Sequence, residues 1–174
     1  MQKWKYIDEK YLLKLREVEP RIPLTDYGSD KFKPFFGVLF TVGNLSYVTQ
    51  VSSPKPRHYS MSNQKDFQKL YKDDNLLCVV NLNYMFPVPT NLLIDVKYKE
   101  IEKYRTFKNE KEKSKYITLL KDELSLINSM NISIKANNLY YHKINYPNDT
   151  ISKRCLDFIE LENVANSILK SGLI

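Results

Sequence analysis

The sequence predicts an α+β fold: a small, mostly antiparallel sheet or barrel that carries helices, with a helical C-terminal part. Three observations predict it. Apolar runs bounded by Gly, Pro and Asn fill residues 1–96. Apolar residues recur at helical spacing after Lys97. The chain has 174 residues, 43% of them hydrophobic, which suffices to bury a core. The expected organisation is one domain, with a strand-rich part over 1–96 and a helical extension over 97–174 packed on it.

The elements follow in order. Lys3–Ile7 reads as a short strand. Glu9–Arg16 reads as a helix capped by Asp8, with Tyr11, Leu12 and Leu15 on one face. Pro20, Pro23 and Gly28 make a loop of Glu19 to Asp30. The run from Phe35 to Val42 is a strong strand, and Gly43-Asn44 turns it into a second strand over Ser46–Val51. Ser62–Lys72 reads as a short helix, with Phe67, Leu70 and Tyr71 on one face. Leu76–Asn81 is a buried strand, Tyr84–Pro89 is extended because proline excludes a helix, and Asn91–Val96 is another strand. Helices are expected over 97–112, over Tyr116–Asn128 with Ile117, Leu120, Leu124 and Ile127 on one stripe, and over Ile132–Lys143. After the break at Pro147–Thr150 comes a last helix, Ile151–Lys170, with Ile151, Cys155, Phe158, Ala165 and Leu169 inward.

Charge narrows the class of partner. The net charge is +7, and it is uneven. Residues 1–58 carry ten cations and six carboxylates, and residues 97–115 carry eight and four, so each zone has a net charge of +4. The remaining segments carry −1 and 0. Such a balance favours a polyanion, and two basic zones suit an extended or folded one; two unrelated solvated faces are the alternative. Thirteen tyrosines, eight phenylalanines and one tryptophan suit stacking on unpaired RNA bases.

Other chemistries lack their residues. There is no P-loop, four glycines do not build a dinucleotide fingerprint, and His58 and His142 lie far apart with no HExxH or His/Cys cluster. Neither a catalytic metal nor a cofactor is expected. Cys78 and Cys155 are expected as separate buried thiols. No apolar run reaches 18 residues, and the N-terminus leads into a strand and a charged helix, so no membrane segment and a cytoplasmic location are expected.

The stretch Ser52-Ser53-Pro54-Lys55-Pro56-Arg57-His58 packs hydroxyls, cations and an imidazole into seven residues. A polar surface loop is the plainer reading. Hydroxyls and cations suit a phosphate, and a histidine beside them suits proton transfer on a phosphate ester. RNA can be cut without a metal because its 2′-OH can attack the neighbouring phosphate. That reaction needs a base, a stabiliser of the crowded phosphorane and an acid for the leaving oxygen. Lys33 precedes the strand expected to pair with Ser46–Val51, so a Phe35–Val51 hairpin brings Lys33 and Ser52–Lys55 to one open end. Tyr27, in the loop before that strand, can orient a ribose or stack on a base.

Three blocks carry a family resemblance: Lys33, Phe35-Phe36-Gly37, Tyr47 and Ser52-Ser53-Pro54-Lys55 with His58; Asn81 to Val88; and Leu92-Leu93-Ile94-Asp95. Through them the chain resembles the endoribonuclease toxins of type III toxin–antitoxin systems, the ToxN/AbiQ family. The resemblance implies a compact, barrel-like core similar to the MazF/Kid toxins, with added helices. It implies metal-independent RNA cleavage leaving 2′,3′-cyclic phosphates, directed at cellular or phage RNA in abortive infection. It implies inhibition by a repetitive RNA antitoxin that the toxin processes and holds in a ring of alternating protein and RNA. Carried over by position, Ser53 is central, with Lys55, Lys33 and the hydroxyl of Ser52 around it and His58 behind them. Family members often have threonine at position 52. The RNA-contacting candidates are Tyr27, Lys31, Tyr47 and Arg57, with Lys103, Arg105 and Lys108 on the basic helix. Two rivals stay open: an RNA-binding module without catalysis, and a barrel toxin that acts on a protein.

Overall fold

The computed structural model describes residues 1–172 and 174, and opens with strand β1 (Lys3–Tyr6) and helix α1 (Glu9–Val18). The Asp8 carboxylate caps α1 by accepting the Lys10 amide at 2.8 Å, and Tyr11, Leu12 and Leu15 are buried beneath it. Strands β2 (Phe35–Gly37), β3 (Thr41–Val42), β4 (Leu45–Val48) and β5 (Val51–Ser52) follow, then a short helix, α2 (Pro56–Ser60). The expected long hairpin is present but irregular. β3 and β4 pair across Gly43-Asn44, with Thr41 opposite Ser46, and β2 pairs antiparallel with β1 along its other edge. Backbone bonds from the Leu39 amide to the Tyr47 carbonyl and from the Tyr47 amide to the Phe40 carbonyl, and a two-way bridge of Phe36 with Thr49, join the two arms.

The segment expected as a helix over 62–72 is a strand, β6 (Phe67–Lys72), paired antiparallel with β7 (Asn75–Asn81). The register shifts between Leu70 and Tyr71. Phe67 packs in a small cluster with Leu76 and Val79, Leu70 joins the main core, and Tyr71 is exposed. Burial in two separate clusters gives this strand a 67/70/71 spacing that imitates a helical face. β8 (Phe86–Pro89) pairs with β4 at the edge of its sheet, where the missing N–H groups of Pro87 and Pro89 are tolerated. β9 (Ile94–Asp95) pairs with β1.

The strands form three three-stranded antiparallel sheets, β2-β1-β9, β3-β4-β8 and β5-β7-β6. This corrects the expected barrel-like core: the sheets pack on shared side chains and do not close into one ring. Gly37 stands at the junction of two of them. A Cβ there would lie 2.8 Å from Val48 Cγ1 and 3.3 Å from the Tyr47 carbonyl, so the close approach of β2 to β4 excludes larger residues.

The expected basic helix over 97–112 is not one helix. A 3-10 stretch (Tyr98–Lys103) leads into irregular chain, and α3 (Glu110–Ser129) begins only where Asn109 caps it through the Glu112 amide. α4 (Ile132–Asn145) follows as expected. The last expected helix is two, α5 (Thr150–Arg154) and α6 (Phe158–Ser171), because Asp157 caps a new start after Cys155-Leu156. The break shifts the helical phase. Cys155, Phe158 and Ala165 are buried as expected, but Ile168 faces inward and Leu169 does not. Apolar side chains from β1 through α6, among them Trp4, Phe35, Phe86, Leu120, Leu139 and Phe158, join in one buried cluster. Cys78 and Cys155 are separate buried thiols, and burial pushes each up to about 12. Among the described residues no helix is long and apolar enough to cross a membrane.

Overpacking at the Gly37 junction is measurable. Gly37→Ala is expected to destabilise the protein by roughly 1–3 kcal/mol in urea unfolding, and adding Val48→Ala should recover part of that loss by clearing the clash.

Candidate functional site

A cavity of about 540 Å³ opens between the chain at 27–34, the end of β5 and one face of α3. Tyr27, Lys31, Lys33, Ser53, Arg105 and Glu123 supply its polar groups, and Trp4, Pro34, Val51 and Leu120 much of its apolar wall.

Local hydrogen bonds build the first wall. The Asp26 carboxylate accepts the Gly28 amide at 2.8 Å, and the Lys31 amide donates to the Gly28 carbonyl at 2.9 Å. Gly28 has φ of +119°, a backbone that side chains rarely adopt, so glycine permits this tight turn. The Lys33 amide donates to the Thr25 carbonyl at 3.0 Å. The Gln50 side-chain amide then donates to both the Leu24 and Lys33 carbonyls, at 2.8 and 2.9 Å. This side chain, with the Phe36–Thr49 bridge of the irregular hairpin, carries Lys33 alongside Val51 and Ser53. The Lys33 ammonium lies 5.7 Å from the centre of the Tyr27 ring, a cation–π contact.

The second wall comes from the C-terminal part. The Tyr116 hydroxyl on α3 donates to the Phe32 carbonyl at 2.7 Å, and the Trp4 indole N–H donates to the Leu120 carbonyl at 2.9 Å. The amide and hydroxyl of Thr106 both donate to the Ser29 carbonyl. These bonds bring Arg105 to the cavity, where its guanidinium lies 4.4 Å from the Tyr116 ring centre and 3.2 Å from the Glu112 carboxylate. Its Nε is buried with no hydrogen-bond partner among the described residues. The two basic zones of the sequence therefore meet at one cavity.

Glu123 is the single carboxylate of the lining and is only 7% exposed. Burial drives its pKa up to about 7; Lys33 opposes the shift and Asp122 adds to it. Sequence reasoning missed Glu123. The signal was present, because Tyr116, Leu120, Glu123 and Ile127 fall on one helical stripe and all are buried. An acidic residue on a buried stripe calls for a reason.

The structure separates several residues expected together. Ser53 and Lys33 share the cavity, but Ser52 lines a different cleft with Arg21, Thr49, Asn81 and Tyr84. Ser52 ends β5, and Ser53 follows it into the turn. Lys55 is exposed at the start of α2, outside the cavity lining, and Arg57 is exposed on α2 itself. His58 is 3% exposed; its Nδ1 accepts the Lys55 amide at 3.0 Å and its ring packs on Phe67. Burial, then Arg57, Lys55 and Lys69, hold it below the usual imidazole range. It braces the Ser53–Lys55 turn from behind. Tyr47 is fully buried and donates to Glu162 at 2.7 Å, so it is not available to RNA on this surface. Lys103 pairs with Glu100, and Lys108 is exposed with its amide bound to Glu112; neither lines the cavity.

Solved structures share this fold. The chain aligns with a bacterial type III toxin from work on selective toxin inhibition by a non-coding RNA pseudoknot, with TM-score 0.76 and 20% identity over 97% of this chain and 98% of that one. It aligns equally, at TM-score 0.76 and 20% identity over 95% and 98%, with a protein of a bacterial antiviral system regulated by a processed non-coding RNA. AbiQ, a lactococcal anti-phage endoribonuclease of the type III toxin–antitoxin system, aligns with TM-score 0.73 and 18% identity over 98% and 99%. At these identities the likeness is one of fold. No curated protein sequence matches the chain. Fold and cavity together define a small α+β protein with a cationic, single-carboxylate pocket. The chain belongs to the ToxN toxin family of type III toxin–antitoxin systems, whose family model matches residues 3–166.

Two outcomes follow from these environments. Folding raises the Glu123 pKa from 4.5 to about 7, so the stability it contributes is present below 4.5 and lost as pH rises through 7. Glu123→Gln is therefore expected to raise the melting temperature, and by more at about pH 8.5 than at about pH 5, the charged form costing on the order of 3 kcal/mol. His58 has the opposite sign: its depressed pKa gives stability that is present above 6.5 and lost as pH falls through the lower folded value. His58→Ala should cost about 1 kcal/mol at neutral pH in urea unfolding, and the gap to the parent protein should close on acidification.

Proposed function

We propose that this chain is an endoribonuclease toxin that cuts single-stranded cellular or phage RNA in the cytoplasm through attack of the ribose 2′-OH, without a metal, leaving 2′,3′-cyclic phosphate ends. One observation carries the reading: Lys33 and Ser53, separated in sequence, line a single cavity together with Arg105 from the second basic zone. A hydroxyl donor among fixed cations suits the dianionic phosphorane of that reaction. In this reading the Ser53 hydroxyl donates to a phosphoryl oxygen, and serine, a poor base at neutral pH, positions and stabilises without titrating. Lys33 and Arg105 supply positive charge. Tyr27, half exposed at the rim, offers a ring face to a base. Lys55 extends the cationic rim, and His58 acts through the turn it braces.

The same charge distribution supports an RNA antitoxin as partner. A folded, repetitive RNA laid over Lys31, Arg57, Lys103 and Lys108 would cover the cavity mouth, and processing of its repeats would leave the product bound, in a ring-like assembly of protein and RNA. The AbiQ and pseudoknot-inhibited relatives support this by fold and by family.

Ser53→Ala tests the reading. Purified parent protein incubated with RNA in EDTA should cut it, and sequencing should find 2′,3′-cyclic phosphate ends. Ser53→Ala should lose at least about 100-fold in cleavage and relieve growth arrest while keeping RNA affinity within about threefold. Intact RNA with the parent protein would favour a binding module without catalysis. Growth arrest that survives Ser53→Ala would point to a protein target. Affinity should fall steeply with salt in either RNA reading.

A further inference from the structure

Resting on the nuclease reading above, we infer that Glu123 is the catalytic base that takes the proton from the attacking ribose 2′-OH, with Lys33 as the acid that protonates the leaving 5′ oxygen. The argument is one of elimination around the cavity. Lys31, Lys33 and Arg105 are donor-only cationic side chains, so none is a ready acceptor. The Tyr116 phenol is pushed above its ordinary range by burial, and its hydroxyl is committed to the Phe32 carbonyl. The Ser53 hydroxyl does not titrate near neutrality. His58 does not line the cavity. Glu123 does, and its pKa of about 7 is suited to a base at physiological pH.

A second observation separates Glu123 from an ordinary core residue. A carboxylate this buried is normally held by hydrogen bonds or a paired cation. Among the described residues Glu123 accepts no protein hydrogen bond and pairs with no cation at contact distance, and its oxygens are not among the fully sealed, unpartnered polar atoms, so they reach the open space of the cavity. The charged and titratable groups facing it are Lys33 from the segment before β2, Cys78 from β7, and Tyr116 and Asp122 from α3 itself. Of these only Lys33 favours the carboxylate. The fold therefore keeps a carboxylate that destabilises it, in a cavity with a hydroxyl and three cations, which is the pattern of a site kept for chemistry.

The step balances. The 2′-oxygen gives its proton to Glu123 and forms the new bond to phosphorus. The bond from phosphorus to the 5′ oxygen breaks, and that oxygen takes its proton from the Lys33 ammonium. The 2′,3′-cyclic phosphate and a 5′-hydroxyl end depart. One proton then passes from Glu123 to Lys33, which restores both groups.

Single-turnover cleavage of a short RNA across pH tests this, with Glu123→Gln and Glu123→Asp beside the parent protein. The parent rate should rise with pH and level off near 7. Glu123→Gln should cleave roughly 100- to 10,000-fold more slowly. Its residual rate should keep climbing without that plateau, its RNA affinity should stay within about threefold, and its melting temperature should not fall. Glu123→Asp should recover part of the rate together with the plateau. Parent cleavage with an unchanged rate and profile in Glu123→Gln would overturn this assignment and leave the nuclease reading standing. Lost RNA binding or a lowered melting temperature in Glu123→Gln would assign a structural role instead. A parent protein that cuts no RNA under any of these conditions would overturn both.

Discussion

The docking of α3 on the N-terminal strand governs the rest of the site. Two side-chain donors make it, the Trp4 indole on the Leu120 carbonyl and the Tyr116 hydroxyl on the Phe32 carbonyl. Both donors are buried, so losing either acceptor would strand a polar group at a cost of roughly 1–3 kcal/mol. Two such bonds, 4 residues apart on the helix, fix both its position and its rotation. Rotation matters most. It decides that the face carrying Glu123 looks into the cavity and that the exposed face of α3 does not. Arg105 is located by the same contacts, because its guanidinium lies on the Tyr116 ring.

Convergence of charge is the second consequence of that docking. Lys31 and Lys33 belong to one basic stretch of sequence and Arg105 to another, yet all three face a cavity with apolar walls. Low-dielectric walls strengthen and focus their field on whatever enters. The Arg105 guanidinium is held by the Tyr116 ring and by Glu112, with its Nε buried and unpaired among the described residues. The aromatic content, by contrast, overstates what is offered to RNA. Trp4, Tyr11, Tyr47, Phe35, Phe36, Phe86 and Phe158 are spent in the core, whereas Tyr27 is the exposed ring in the cavity lining.

Much of the fold was legible in the sequence where one local signal dominated. Asp8 marks the start of α1, Gly43-Asn44 marks a turn, and the 3.6-residue stripe marks α3 and α4. Legibility failed where tertiary contacts reset the local pattern. Burial of Phe67 and Leu70 in two different clusters gave β6 a helical spacing, and Asp157 started a second helix inside an unbroken stripe. Closure into a barrel depends on long-range pairing that no local pattern encodes. At the site, Lys33 and Ser53 line one cavity, held there by the irregular hairpin and by the Gln50 side chain. Ser52 and His58 were grouped with them by proximity in sequence, which says nothing about which way a strand residue points. Glu123 stayed hidden because Lys33 and Ser53, which it meets in the cavity, lie 70 residues or more upstream.

That separation has a kinetic meaning during synthesis. Ser53 and Lys33 leave the ribosome well before Glu123, which follows position 53 by 70 positions. At translation speeds of about 5–20 residues per second, that interval is roughly 4–14 seconds. Throughout it the nascent chain exposes one half of the cavity with nothing opposite. Only when α3 has emerged and seated on Trp4 does the pocket gain its far wall, so each newly made molecule passes through an inert window before its site exists.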